Sequence, residues 1–364
     1  MKQLRLTLLG FGTVGQWLAE ALHIRQAWVQ QEFGVVVTVI SVATAHHGLI
    51  YREDGLDIPT LLDLVATRQP LTAYPHVTQW TDILEGLQAT GGDVLAEATG
   101  ATLRHAEPGL SYIRSALAQG MHVITSSKGP VALAGLDLLA LARVHGVQLR
   151  MESTIMSGTP LLSTIREGMA GTRIRAIRGI LNGTVNSILS AMATGHDYAE
   201  ALAQAQAQGY AEADPTDDVE GDDTVAKTLI LAAAVFGRAL APEQVVRRGI
   251  TALTREQMQQ AEALGKRIKH VASLRLLAKD GWAAQCYRYP NRYPCRGDGD
   301  WTGSRTLSGR SGDVGRSDCH CQITMRETAI DSKGGKIATP ARDAHARATR
   351  VEMLVCIGGP AGEA

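Results

Sequence analysis

Cysteine is missing from most of this 364-residue chain, because all five cysteines lie after residue 285. The tightest pair, Cys319 and Cys321, is separated by one residue, which is closer than the spacing of zinc knuckles. No second pair lies near it in the sequence to complete four ligands. We therefore interpret the cysteines as neither a zinc site nor a disulfide framework.

Long apolar runs and an excess of one charge are also missing. The formal net charge is zero and 20% of the residues are charged, so nothing indicates a nucleic-acid surface. No apolar segment is as long as a membrane span, and glycines at 10, 12 and 15 interrupt the first apolar run, which argues against a signal peptide. We expect a soluble cytoplasmic protein with at least two domains and with no nucleic-acid or membrane partner.

An acidic stretch at residues 209–227 has no basic residue before Lys227. Pro215 and Gly221 interrupt it, so most of it is predicted to be a loop. A helix is predicted from Asp222, and it places Asp223 and Lys227 on one face because they are four residues apart. The stretch contains seven carboxylates: Glu212, Asp214, Asp217, Asp218, Glu220, Asp222 and Asp223.

Two interpretations of this stretch stay open, and a third fails. The stretch alone favours a solvated acidic loop with one ordinary salt bridge. The alternative is a pocket in which several carboxylates surround a small cationic group, with Lys227 as a buried lysine whose proton is used. A calcium loop of the EF-hand type fails, because that template requires glycine where Asp223 stands.

A dinucleotide fingerprint follows the first predicted strand. Residues 4–10 are typical of a short β-strand, and after the glycine-rich turn at 10–15 apolar residues recur at helical spacing. The glycines permit a tight turn and a close approach of the backbone to a pyrophosphate, whose charge the helix N-terminus favours. This order predicts binding of NAD or NADP. The predicted contact residues are Gly10, Gly12, Thr13, Val14 and Gly15.

The second strand, at residues 34–42, lacks the acid that usually follows it and binds the ribose of NAD. Without a carboxylate there, a 2′-phosphate is not repelled, and Thr44, His46, His47 or Arg52 is available to meet it. The sequence therefore favours NADP, or no strong preference between the nucleotides. An exposed loop is the plain alternative for the two histidines.

Strands and helices alternate up to residue 125, which predicts a doubly wound parallel sheet. Lys128 follows the strand at 122–125 and is predicted to lie in a loop, where most lysines are simply solvated. Further along, a strand is predicted at 174–181. Helices are predicted at 161–168, 199–207, 222–235 and 254–269. A further helix is predicted to begin at residues 182–186, where the Asn182 amide suits a cap.

Several motifs occur in order along the chain. They are Gly-x-Gly-x-Val-Gly, Glu97-Ala-Thr-Gly, Thr125-Ser-Ser-Lys-Gly-Pro, Glu152-Ser-Thr-Ile-Met-Ser-Gly-Thr-Pro, Gly179-Ile-Leu-Asn-Gly-Thr-Val-Asn, Gly209-Tyr-Ala-Glu-Ala-Asp-Pro and Asp218-Val-Glu-Gly-Asp-Asp-Thr-Val-Ala-Lys227. As a set, they resemble homoserine dehydrogenase over roughly residues 1–285. The family usually has Asn before the first lysine, where this chain has Ser127, whose hydroxyl still forms hydrogen bonds.

The resemblance implies NAD(P)-dependent interconversion of L-homoserine and L-aspartate 4-semialdehyde, in the biosynthesis of threonine, methionine and isoleucine. It implies an α/β fold, with a Rossmann-type doubly wound nucleotide domain at 1–130. An α+β catalytic and dimerisation domain with a mixed sheet is implied at 131–285, in a homodimer. No aspartate-kinase half is visible, so the single-activity form is expected.

The resemblance also implies roles for individual residues. Lys128 and Lys227 would lie near the reacting oxygen, and Asp223 would orient them. The helix start at residues 182–184 would lie beside the substrate and nicotinamide. The residues implied to bind the substrate are Glu212, Asp218, Gly183 and Thr184. Those implied to bind the cofactor, beyond the glycine turn, are Thr99, Gly100 and Lys128. Those similar to the family's monovalent-cation (Na⁺) loop are Glu152 and, through backbone carbonyls, Ile155, Ser157 and Thr159.

After residue 285 the family pattern stops, and residues 286–364 are rich in Gly, Arg, Ser and Thr. A shift of reading frame near residue 285 accounts for this change better than a lineage-specific extension, and we expect an atypical, poorly ordered tail. Two other functions stay open. One is a nucleotide-binding protein that the aberrant C-terminus leaves without catalysis, and the other is a dehydrogenase of a different amino acid.

Overall fold

The computed structural model describes residues 1–100, 105–276 and 349–358. Most of the tail predicted to be poorly ordered therefore lies outside the described residues. Within the described part of the chain, no helix combines the length and the apolar character needed to cross a membrane.

The first sheet has seven strands in the order β4-β3-β2-β1-β5-β6-β7. Strands β2, β1, β5, β6 and β7 are parallel, whereas β3 and β4 add an antiparallel edge. The sheet is thus mixed, and the sequence did not predict β3 and β4. The strands are β1 (Lys2–Leu9), β2 (Val35–Thr44), β3 (Gly48–Tyr51), β4 (Thr78–Trp80), β5 (Val94–Glu97), β6 (His122–Thr125) and β7 (Leu149–Arg150).

Among the described residues, six helices accompany this sheet, and the predicted order of strand, glycine turn and helix at the N-terminus is confirmed. Asp57 and Asp82 cap two of these helices by accepting hydrogen bonds from backbone N–H groups in the first turn. The helices are α1 (Thr13–Ile24), α2 (Gln26–Phe33), α3 (Ile58–Ala66), α4 (Ile83–Thr90), α5 (Gly109–Ala118) and α6 (Lys128–Val144).

The second sheet has four strands in the order β8-β10-β11-β9. Strand β10 pairs antiparallel with β8 and β11, whereas β11 and β9 are parallel. The strands are β8 (Ala176–Gly179), β9 (Val245–Val246), β10 (Arg267–Leu276) and β11 (Thr349–Gly358). The helices are α7 (Ser153–Met156), α8 (Leu161–Ser163), α9 (Gly183–Ala193), α10 (Tyr198–Ala207), α11 (Thr216–Val219), α12 (Asp222–Phe236) and α13 (Arg255–Ala263).

Helices α6 and α12 pack together and connect the two halves of the fold. A Cβ added to Gly135 on α6 would lie 3.3 Å from Cβ of Ala233 on α12, so the two backbones approach closely there. Buried side chains of both helices belong to the largest apolar cluster, with Val123 of the first sheet and Leu274 of the second. This packing brings the first turns of α6 and α12 to the same place.

Two predictions about local structure are wrong. Lys128 does not lie in a loop but is the first residue of α6, preceded by Ser127 as the N-cap residue. The helix predicted at 254–269 ends at Ala263, and β10 begins at Arg267. Gly265 has a φ of +63°, the left-handed conformation in which helices commonly terminate.

The domain boundaries at residues 130 and 285 stay predictions. Helix α6 spans residue 130, and the first sheet continues to Arg150. Beyond residue 285, strand β11 joins the second sheet, and the sequence did not predict an element there.

Among the described residues, nothing covers one face of β6 at Ile124. Val123 is completely buried in the apolar cluster that includes side chains of α5 and α6, whereas the neighbouring Ile124, on the opposite face, is 47% exposed. We expect Val123→Ala to lower the free energy of unfolding by about 2 kcal/mol, because it leaves a cavity. Ile124→Thr should change it by less than about 0.5 kcal/mol. Urea denaturation of both variants tests this, and a loss of similar size for Ile124→Thr would show that another part of the chain covers that face.

Candidate active site

Asp223, in the first turn of α12, binds two lysines from different helices. Its Oδ1 accepts a hydrogen bond from Nζ of Lys128 at 2.5 Å, and its Oδ2 lies 2.8 Å from Nζ of Lys227. Burial raises the pKa of the Asp223 carboxyl, but the charges and hydrogen bonds of Lys227 and Lys128 outweigh this and hold the pKa below its ordinary value of 3.8. Asp223 is therefore an anion shared by two ammonium groups.

The two lysines differ in exposure. The Lys227 side chain is 12% exposed, and its Nζ also donates to the Leu181 carbonyl oxygen at 2.6 Å. The Lys128 side chain is 41% exposed and starts at the carboxyl end of β6, where ligands of doubly wound sheets bind. Lys227 is thus fixed and shielded from water, and Lys128 is accessible.

Asn182 connects Asp223 to a second acid of the acidic stretch. Its Nδ2 donates to Oδ1 of Asp218 at 2.7 Å and to Oδ2 of Asp223 at 2.9 Å. The loop between β8 and α9 supplies both Asn182 and the Leu181 carbonyl, so this loop holds the cluster from one side. We call Lys128, Asn182, Asp218, Asp223 and Lys227 the lysine–carboxylate cluster.

The remaining acids of the stretch lie outside this cluster. Asp222 forms an ion pair with Arg247, and Glu220 accepts a hydrogen bond from Thr251. Asp214 caps the turn at Thr216. The interpretation as a solvated acidic loop therefore describes much of the stretch, while Asp218 and Asp223 turn inward.

Three residues predicted to bind the substrate make no direct polar contact with the cluster among the described residues. Gly183 begins α9, and Thr184 Oγ1 donates to the Tyr210 carbonyl oxygen at 2.7 Å. Glu212 is exposed in the loop between α10 and α11, and its backbone carbonyl accepts from Gln206. Their roles stay predictions.

The glycine turn has the shape of a nucleotide cradle. Gly10 has a φ of +91°, and a Cβ there would lie 2.2 Å from the Ala98 carbonyl oxygen. A Cβ on Gly15 would lie 2.2 Å from the Gly10 carbonyl oxygen, so both positions exclude any side chain. A Cβ on Gly12 would meet nothing within 4 Å, which leaves space for a ligand. Thr13 and Val14 form the exposed start of α1. These residues fit a dinucleotide pyrophosphate.

Glu97, at the end of β5, forms hydrogen bonds with the loop that follows β5 and with the segment that follows β6. Its side chain is 1% exposed. Its carboxylate accepts hydrogen bonds from Thr99 N and Oγ1, at 2.9 and 2.5 Å, from Thr125 Oγ1 at 2.5 Å and from Ser127 Oγ at 2.8 Å. Ser127 Oγ in turn accepts from Gly100 N at 3.2 Å. Ser127, which stands where the family usually has Asn, thus forms hydrogen bonds with both the Glu97 carboxylate and the Gly100 backbone.

The segment predicted to bind a monovalent cation forms a compact turn. Both Glu152 carboxylate oxygens accept 2.7 Å hydrogen bonds from backbone N–H groups, of Leu162 and Ser163. Ser157, which follows the short helix α7, has a φ of +47°, which is uncommon outside glycine. Thr159 lies at the end of the same turn, where its carbonyl accepts from Leu161 N.

The residues alone predicted a helix cap at Asn182, and the family resemblance placed the segment from Asn182 to Thr184 beside the substrate, whereas Glu97 was only a motif residue. Neither residue type predicts its tertiary hydrogen bond, because Asn182 is 41 residues from its partner Asp223 in the sequence and Glu97 is 30 residues from its partner Ser127. A buried carboxylate at the end of a strand is the one feature that could have drawn attention to Glu97, since such a group needs several donors.

Comparisons with known proteins agree with this geometry. The family model described as "Homoserine dehydrogenase, NAD binding domain" matches residues 10–152, and the one described as "Homoserine dehydrogenase" matches residues 160–295. The NAD(+)-dependent homoserine dehydrogenase of Pseudomonas canavaninivorans is 38% identical over 275 residues, which are 75% of this chain and 78% of that protein. The homoserine dehydrogenase of Methanocaldococcus jannaschii is 33% identical, over 76% of this chain and 80% of that protein.

The solved structures that resemble this chain include homoserine dehydrogenases. A putative homoserine dehydrogenase from Archaeoglobus fulgidus superimposes with a TM-score of 0.66 at 33% identity, covering 74% of this chain and 80% of that one. A mutant of a hyperthermophilic archaeal homoserine dehydrogenase, in complex with NADPH, has a TM-score of 0.63 at 26% identity, covering 74% of this chain and 78% of that one. With its nucleotide cradle and lysine–carboxylate cluster, this chain belongs to the homoserine dehydrogenase family.

Proposed function

We propose that the chain interconverts L-homoserine and L-aspartate 4-semialdehyde, with the reacting oxygen placed at the lysine–carboxylate cluster. The observation that carries the proposal is the convergence of Lys128 and Lys227 on Asp223. The nicotinamide cofactor supplies hydride chemistry when it is bound. The work left to this chain is to bind the amino acid and to move the hydroxyl proton.

Lys227 is the group that we assign to proton transfer. Its Nζ is held by Asp223 Oδ2 and by the Leu181 carbonyl, so it has a fixed position from which to donate to, or accept from, the substrate oxygen. Lys128 adds a second positive charge on the accessible side, where it stabilises negative charge on that oxygen. Asp223 keeps the two ammonium groups together despite their repulsion.

The substrate ammonium is assigned to the acids beside the cluster. Asp218 is held by Asn182 next to Asp223, and Glu212 lies in the neighbouring loop. Gly183 and Thr184 begin α9 beside them. In this arrangement the amino group of homoserine would lie at these acids and its hydroxyl oxygen near Lys227.

A turnover assay tests this function. Purified protein should reduce NADP⁺ or NAD⁺ when homoserine is added and not when serine, threonine or 2-aminobutyrate is added. Faster turnover with one of these other amino acids would reassign the substrate. Nucleotide binding without any reduction would instead support a binding protein that lacks catalysis.

Cofactor preference is a separate prediction. Strand β2 ends at Thr44, whose Oγ1 lies 3.1 Å from His47 Nδ1, and no carboxylate stands there. We propose that NADP is at least an equal partner, so kcat/KM with NAD should not exceed that with NADP by more than about tenfold, or 1.4 kcal/mol. Thr44→Asp should lower kcat/KM for NADP by about tenfold or more and leave NAD nearly unaffected, since the new charge repels a 2′-phosphate. A wild-type preference for NAD above tenfold would contradict this proposal.

A monovalent cation at the turn after Glu152 is proposed from the resemblance. The turn contains the backbone carbonyls of Ile155, Ser157 and Thr159, and the positive φ of Ser157 marks an unusual backbone conformation within it. Oxygen ligands of this type suit Na⁺. Among the described residues, no group of three or more His, Cys, Asp or Glu side chains could hold a metal ion, so carbonyls would have to supply most of the ligands.

The assembly and the cellular setting are likewise proposed from the resemblance. We assign the chain to a cytoplasmic homodimer that uses the four-stranded sheet for dimerisation. Its reaction would serve the biosynthesis of threonine, methionine and isoleucine.

A further inference from the structure

The Asn182 side chain has a single possible orientation. It is buried, and its Oδ1 accepts a hydrogen bond from Val185 N at 2.8 Å, which caps α9. A backbone N–H can only donate, so the amide oxygen must face α9 and the NH₂ group must face the opposite way. The identity of each end of this amide is therefore fixed by the helix cap.

Both hydrogens of that NH₂ group are directed to carboxylates. One bond, of 2.7 Å, goes to Asp218 Oδ1, and the other, of 2.9 Å, goes to Asp223 Oδ2. A side-chain amide has two such hydrogens, so the donor is fully used. We propose that Asn182 is a positioning residue that holds the substrate-binding acid and the lysine-binding acid at a fixed separation.

The need for such a residue follows from charge. Two carboxylates that share one nitrogen repel each other, and Asp223 is already held by Lys128 and Lys227. Asp218 has no lysine or arginine partner among the described residues, and Asn182 is its side-chain hydrogen-bond donor there. Without that donor, Asp218 would turn away from Asp223 toward water. The distance between the ammonium end and the oxygen end of the substrate site would then change.

We call the two hydrogen bonds from Asn182 Nδ2 to Asp218 and Asp223 the bridge. Asn182→Asp removes the bridge but keeps the helix cap. Aspartate caps helices as well as asparagine does, so α9 should stay intact. The NH₂ group, however, becomes a carboxylate oxygen facing two other carboxylates. At about pH 8 we expect kcat to fall about 100-fold and the KM for homoserine to rise about tenfold. Toward about pH 6 the ratio of variant to wild-type kcat should rise about tenfold, because like charges raise the pKa of one carboxyl and the shared proton restores a hydrogen bond.

Asn182→Ser is the matched control. Serine also caps helices, but it is neutral and too short to reach Asp218 or Asp223. We expect kcat to fall at least tenfold, with a ratio to wild type that does not change with pH. Asn182→Ala removes cap and bridge together, so it alone should also lower the melting temperature. If Asn182→Asp does not fold, Asn182→Ser still tests the bridge.

The proposal rests on the proposed roles of Asp218 and Asp223, and Asp223→Asn keeps the two questions apart. Loss of activity in a folded Asp223→Asn variant supports the lysine–carboxylate cluster as the active site, independently of the results for the Asn182 variants. Wild-type kcat and KM in Asn182→Ser, or a pH-independent ratio for a folded Asn182→Asp, would overturn the positioning role. Asn182 would then be a helix cap only.

Discussion

Replacing Lys227 with alanine should lower kcat for homoserine oxidation by about 10³-fold, or about 4 kcal/mol, while nucleotide binding stays near the wild-type value. The reason is geometric: Lys227 is the cluster's shielded ammonium, held 2.6 Å from the Leu181 carbonyl and 2.8 Å from Asp223. The glycine turn that fits the nucleotide lies between β1 and the first turn of α1 and is untouched by this change. Steady-state kinetics and a nucleotide titration measure the two effects.

Lys227→Arg distinguishes charge from proton transfer. A guanidinium keeps a cation beside Asp223 but cannot be deprotonated in a protein. We expect this variant to fold and to bind nucleotide, yet to be nearly as inactive as Lys227→Ala. If Lys227→Arg kept kcat within threefold of wild type, Lys227 would supply only charge, and the assignment of proton transfer would pass to Lys128.

Asp223→Asn should damage both stability and activity. It leaves the Lys227 ammonium, 12% exposed, without its counter-ion, and breaking such a buried pair costs about 3 kcal/mol of unfolding free energy. The lysines would also lose the carboxylate that keeps them together, so kcat should fall about 100-fold or more. Thermal or urea unfolding and the turnover assay measure the two effects.

The stability loss in Asp223→Asn should depend on pH in a specific direction. Lysine charges hold the pKa of Asp223 below 3.8 in the folded protein, so the folded state binds fewer protons at this site than the unfolded state does near that pH. The stabilisation is therefore fully present above about pH 5 and is lost as the pH falls through the folded pKa. The difference between wild type and variant should be constant from about pH 5 to 8 and should shrink below about pH 4.

Asp222→Asn is the control for this variant. Asp222 lies next to Asp223 in the same turn of α12, but its ion pair is with Arg247, whose side chain is 44% exposed. The Asp222 side chain is 18% exposed, so the pair is open to water mainly on the arginine side. Ion pairs at the surface contribute little, so we expect about 1 kcal/mol of destabilisation or less and near-normal kcat. Equal effects in the two variants would mean that the negative charge of the helix start, and not the lysine–carboxylate cluster, is what matters.

The sequence predicted those features whose cause is local. The glycine spacing at 10, 12 and 15 between a strand pattern and a helix pattern made the fingerprint at the start of α1 recognisable without any tertiary information. The pairing of Asp223 with Lys227 follows from a spacing of four residues on a helix. Helix capping gave the start of α9 at Asn182.

Features that depend on distant parts of the chain escaped local reasoning. Lys128 reaches Asp223 across 95 residues, and only the family resemblance placed the two together. Strand β11 pairs with β10 from beyond residue 348, where the composition alone suggested little structure.

The helix predicted at 254–269 was overextended because Lys266 and Arg267 suit a helix, whereas Gly265 in the left-handed conformation ends it.

A crystal structure of the full chain with bound nucleotide and homoserine would test the central claim most directly. We predict that the homoserine hydroxyl oxygen lies within hydrogen-bond distance of Lys227 Nζ and near Lys128, with its ammonium group at Asp218 or Glu212 and Asn182 still bridging the two acids. A bound homoserine whose hydroxyl points away from both lysines would contradict the assignment of the lysine–carboxylate cluster as the catalytic centre.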